Sequence, residues 1–81
     1  MRSPIAKAVI EGVVRDLASE EAKERSDASH FFLSGDYVGH CAQAGIDPEW
    51  LRRKSVELLS LGGVQRKRAA ADLVEEMKKK T

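Results

Sequence analysis

Residues 37–57 read YVGHCAQAGIDPEWLRRKSVE, and this spacing predicts two helices joined by a tight turn, a helix-turn-helix. Gly45 follows a short helical run and supplies the positive φ that lets a helix end reverse direction at low steric cost. Ile46 places an apolar plug beneath the turn. Asp47-Pro48 then restarts the chain as helix, the carboxylate capping free backbone N–H groups and the proline fitting the first helical position. Cys41 and Ala44 are small residues where a crossing helix must come close, and Leu51 stands one turn into the second helix, where it meets them. Offsets of three and four then gather Glu49, Arg52, Arg53 and Val56 on the opposite, outward face. That face is the one a DNA-binding helix-turn-helix lays in the major groove.

Two residues pull against a nucleic-acid reading. Asp47 and Glu49 bring negative charge to the start of the second helix, where phosphates would approach. Lys54 occupies a position that usually holds an aliphatic side chain packed on the first helix, although its methylenes can lie along the contact with the amine in water. The plain alternative is a packed helical hairpin with a solvated basic face.

Working outward, Ser3-Pro4 opens a first helix with Ile5, Val9, Ile10, Val13, Val14 and Leu17 as a wide apolar stripe. Residues 19–25, SEEAKER, either extend that helix as a solvated turn or form a connection. Ser26-Asp27 reads as the next cap, leading into a short helix 28–33 whose Phe31, Phe32 and Leu33 are expected to be bulky core contacts. Ser34-Gly35-Asp36 breaks it and caps the first motif helix. The second motif helix is expected from Pro48 to about Leu59, ending at Leu61-Gly62-Gly63, a flexible joint. Residues 64–80 form a last helix with a narrow apolar seam of Ala70, Leu73, Val74 and Met77. A narrow seam needs a partner, either the first helix of the same chain or a second copy; docking back is the preferred expectation. The fold class is therefore all-α, a small bundle of about five helices containing a helix-turn-helix-like pair. Residues 1–61 make the helical domain, and 62–81 a C-terminal helix that docks back or dimerises.

Composition sets the outer limits. The 81 residues, 42% hydrophobic and 33% charged, suit one small domain of amphipathic helices. The net charge of +1 gives the whole molecule no strong pull toward nucleic acid or membrane, but its distribution is uneven. Residues 1–40 hold five basic and seven acidic side chains, residues 41–81 nine and six, so the basic character belongs to the second half. Arg52-Arg53-Lys54 and Gln65-Arg66-Lys67-Arg68 are the clusters able to contact phosphates, and closeness in space would make them one surface. Taken alone, the second cluster reads better as a solvated helix face. Trp50 and Tyr37 are expected to close the edge of the core.

Other chemistries find little support. His30, His40 and Cys41 do not form a metal set, because adjacent helical residues diverge by roughly 100° and structural zinc wants four ligands in paired spacing. Phosphate-binding glycine loop, nucleophile elbow and paired-histidine signatures are missing, and a helical chain of this size has little room for an enclosed pocket. Neither enzyme activity nor a cofactor is expected. One cysteine makes no internal disulfide, and with neither a signal peptide nor an apolar run near the roughly 18 residues of a membrane span, the expected location is the cytoplasm. Cys41 reads as a small core residue.

The run FFLSGDYVGHCAQAGIDPEWLRRK, residues 31–54, resembles small phage and prophage proteins that carry an aromatic-Leu-x-Ser, then Asp, then Cys-x-x-Ala-Gly-hydrophobic-Asp-Pro-x-x-hydrophobic-Arg pattern. The resemblance rests on Phe32, Leu33, Ser34, Asp36, Cys41, Ala44, Gly45, Ile46, Asp47, Pro48, Leu51 and Arg52, with a looser likeness in the first helix, and leaves out residues 62–81. Such proteins are regarded as DNA-binding or regulatory factors. The resemblance implies a bacteriophage origin, transcription regulation and the cytoplasm of a bacterial host. The expected partner is duplex DNA, bound through Arg52, Arg53 and Lys54 with Glu49 beside them and Arg66, Lys67 and Arg68 flanking, as a homodimer where the site is palindromic. The rival expectation is a protein-binding module that modulates host transcription machinery or a defence complex. Near-zero net charge, acids at the start of the second motif helix and the apolar seam of the last helix suit a protein interface.

Overall fold

The computed structural model describes residues 3–80. Five helices follow in order, α1 (Pro4–Leu17), α2 (Ala22–Leu33), α3 (Asp36–Ala44), α4 (Pro48–Leu59) and α5 (Gly63–Lys80), and no strand occurs among the described residues. The helix α1 is the hub, lying against each of the other four. Its start is fixed twice: Ser3 Oγ accepts the Ala6 N–H at 3.1 Å, and the Ser3 N–H donates to the Gln43 carbonyl at 2.7 Å. The second bond ties the beginning of α1 to the end of α3.

That close approach decides which face of α1 is buried. Ala6, Ile10, Val14 and Leu17 enter the core, whereas Ile5 is 77% exposed and Val9 is also exposed. The wide stripe expected from the sequence is thus narrower and rotated. A small side chain at Ala6 suits two backbones in contact, and Ile5 is turned to the solvent side.

The second helix departs further from expectation. It begins at Ala22, four residues before the cap expected at Ser26-Asp27, and both of those residues lie inside it. Glu21 stands at the N-cap without a side-chain cap bond, and Ser19 Oγ, within the connection, accepts the Glu21 N–H at 3.1 Å. The reason is local: alanine, lysine, glutamate and arginine at 22–25 are strong helix formers and need little tertiary help. Only Ala28 of α2 is fully buried. Phe31 and Phe32 are half-buried, stacked edge to face at 5.7 Å, and Phe32 reaches Tyr37 at 5.3 Å. Leu33, expected in the core, is 84% exposed. It is the last helical residue before Gly35 reverses the chain with φ 85, and that reversal leaves it outside.

Between α3 and α4 the turn is as the sequence predicts. Gly45 has φ 74; its N–H donates to the Ala42 carbonyl at 3.4 Å and the Ile46 N–H to the Cys41 carbonyl at 2.9 Å. This pair of bonds is the Schellman arrangement, which satisfies carbonyls left over at a helix end. Asp47 then caps α4, accepting the Glu49 N–H at 3.0 Å. Cys41, Ala44, Ile46 and Leu51 are all buried at the crossing. Replacing Gly45 by alanine is expected to lower stability by about 1–2 kcal/mol, since a Cβ in the left-handed region meets the following carbonyl; the shift of the urea midpoint measures it. A loss near zero would show that the turn relaxes to another geometry.

The joint before α5 is more ordered than its two glycines suggest. The Arg66 N–H donates to the Gly62 carbonyl at 2.7 Å, and Arg66 Nη2 donates to the Leu61 carbonyl at 2.9 Å. Ala70, Leu73, Val74 and Met77 of α5 lie in the same core as the buried residues of α1 and α4. Trp50 and Tyr37 are half-buried against its edge. No helix among the described residues is long and apolar enough to cross a membrane.

Candidate nucleic-acid interface

The turn places Glu49, Arg52, Arg53 and Val56 on the exposed side of α4, while Leu51, Ser55 and Leu58 face inward. Glu49, Arg52, Arg53, Val56 and Glu57 line one shallow cleft. Among the described residues, neither arginine forms a hydrogen bond or ion pair. Their guanidinium groups are therefore available to an external anion, and their planar donor forks match phosphate oxygens or a guanine edge. Lys54 is half-buried, and its amine stands 4.0 Å from Glu57. Glu49 and Glu57 are thus both acids in the cleft of the two arginines, Glu57 with Lys54 beside it.

The second basic cluster lies elsewhere. Arg66 is committed to the Leu61 carbonyl, as described, and Lys67 Nζ binds Glu20 Oε1 at 2.8 Å across 47 residues of sequence. That hydrogen bond, reinforced by the charge on Lys67, holds the Glu20 carboxyl below its ordinary range. Arg66 and Lys67 share their cleft with the α1–α2 connection and not with Arg52 or Arg53. Arg68 is exposed. Arg66 and Lys67 face the α1–α2 corner, while Arg52 and Arg53 line the cleft on α4.

Cys41 belongs to the helix crossing. Burial, with a smaller contribution from the Asp47 carboxylate, pushes its thiol up from 9.0 to about 11. At pH 8 a disulfide reagent is expected to label Cys41 in the native protein at least about 100-fold more slowly than in the urea-unfolded chain, because only the thiolate attacks. Comparable rates would place the thiol in an open site. His40 is also occupied, its Nδ1 donating to the Asp36 carbonyl at 3.0 Å and its ring 5.2 Å from Phe31.

Sequence reasoning missed the neighbours of Arg52 on α2. Phe32 and Leu33 come beside Arg52, Val56 and Leu59, and the available signal was the position of Leu33 directly before the Ser34-Gly35 break. Comparison with family models, with curated proteins and with solved structures finds no match to this chain.

Proposed function

We propose that this chain is a non-enzymatic regulatory protein that binds duplex DNA by laying the exposed face of α4 in the major groove. The observation that carries the reading is the pair Arg52 and Arg53, exposed and, among the described residues, without a hydrogen bond or ion pair, just beyond a tight helix-turn-helix reversal. Both stand within the first turns of α4, the part of a recognition helix that reaches base edges in such motifs. Glu49 sits in the same cleft and would oppose phosphate, but a carboxylate accepts well from a cytosine amino group. Glu49 is thus better suited to discriminating among bases than to raising affinity. Arg68 is also exposed and, among the described residues, forms no hydrogen bond or ion pair. The resemblance of the Phe32 to Arg52 stretch to phage and prophage proteins adds a mobile-element origin to the proposal, and a palindromic target would call for two copies.

Binding to random duplex and to duplexes selected from a randomised pool, each titrated with salt, tests the reading. Affinity should fall linearly with the logarithm of salt concentration, and selection should converge on a sequence. Absence of binding at low salt overturns it.

A further inference from the structure

The two arginines of α4 do not face the same way. With about 100° of rotation per residue, Glu49, Arg53 and Val56 fall within about 60° of one another around the helix axis, on the side away from the buried Leu51 and Leu58. Arg52 is turned aside toward α2, where it lines a groove with Phe32 and Leu33. Glu57 lies on the opposite flank, toward α5, and shares a cleft there with Lys54 and Leu73. Glu49 and Arg53 both line the outward cleft. They are four residues apart, a spacing at which a glutamate and an arginine can pair, yet among the described residues their side chains form no ion pair or hydrogen bond.

We propose a division of labour on α4, which rests on the DNA reading above: Arg53 reads a guanine, Glu49 reads a cytosine, and Arg52 holds a phosphate. A helix roughly 10–12 Å across fills a major groove about 12 Å wide, so its outermost line meets the groove floor and its flanks meet the two strands. Arg53 brings a donor fork to that floor, and guanine presents the two acceptors O6 and N7 to it. Glu49 brings acceptors alone. Cytosine offers them its N4 amino group, whereas the adenine amino group sits beside N7, an acceptor that repels a carboxylate. On the outermost line Glu49 also stands as far from the phosphates of both strands as the helix allows, which removes much of the penalty its charge would carry on a flank. Arg52 is about 100° from Arg53 around the axis and points at a strand, where phosphate oxygens are the acceptors within reach.

The probes are the duplex that the full chain selects from a randomised pool and its versions with each of the four base pairs at each position. Glu49→Gln keeps the shape of the side chain and adds a donor, so the preferred base at one position should change from cytosine to adenine, the partner of an amide. Arg53→Ala should erase at least about tenfold discrimination at one G·C pair, as expected for a lost bidentate contact. Arg52→Ala should weaken binding to every duplex equally, with base preferences intact and a salt slope smaller by about 0.9. Thermal melts establish that each variant is folded. The proposal is overturned, with DNA binding left standing, if Glu49→Gln strengthens binding to all duplexes without changing the preferred base, if Arg52→Ala alters a base preference, or if Arg53→Ala weakens binding to all duplexes equally. Absence of binding by the parent chain at low salt removes the DNA reading itself, and this division of roles with it.

Discussion

Leu51→Ala is expected to lower the unfolding free energy by about 3 kcal/mol, within the range for emptying a fully buried leucine site. Leu51 has no exposed surface and fills the α3–α4 crossing with Cys41, Ala44 and Ile46. Its small neighbours cannot expand into the space, so a cavity remains in addition to the lost burial. A chain of this length has a total stability of roughly 4–12 kcal/mol on the usual per-residue scale, so one substitution removes a large part of it. Urea denaturation followed by circular dichroism should show a lower midpoint with an unchanged slope. Leu51→Met, which nearly conserves volume, should cost less than about 1.5 kcal/mol. A loss below about 1 kcal/mol for the alanine variant would mean that another residue closes the crossing.

The double substitution Arg52→Ala and Arg53→Ala should have the opposite profile. Both side chains are exposed and, among the described residues, form no hydrogen bond or ion pair, so stability should change by no more than about 0.5 kcal/mol. DNA affinity should fall sharply. If both contact phosphate, the loss is the same on every sequence and the salt slope shrinks by about 0.9 for each lost contact. If one of them reads a guanine, discrimination at that base weakens by about 1–3 kcal/mol. Changing Lys67 should matter far less, because its amine is engaged with Glu20. Equal DNA binding by the double variant and the parent would remove α4 from the interface.

What could be read from the sequence was the chemistry that acts over one or two turns of chain. Gly45, Asp47 and Pro48 specify the α3–α4 reversal by backbone conformation and capping, and the narrow seam of α5 marks its own buried side. Choices made between helices were not legible. Whether Ile5 or Ala6 faces inward depends on how closely α3 approaches α1, and no periodicity in α1 encodes the Ser3 to Gln43 bond. Leu33 looks like a core residue until the direction of the chain after Gly35 is known. The engagement of Lys67 with Glu20 is likewise a contact between distant residues, and it separates two basic runs that composition alone would merge. For the same reason the pairing of Arg52 with an apolar neighbourhood from α2 emerges only in three dimensions.

The slight anchoring of α2 has a consequence for how the molecule moves. Opening free energies within one protein range from near zero for weakly packed segments up to the global value for core elements. A helix that commits only Ala28 fully to the core sits at the low end of that scale, and α1, which touches every other helix, at the high end. Amide exchange is therefore expected to be faster in α2 than in α1. Exchange protection measured along α2 and α4 would then differ across the groove that Phe32, Leu33, Arg52 and Val56 line.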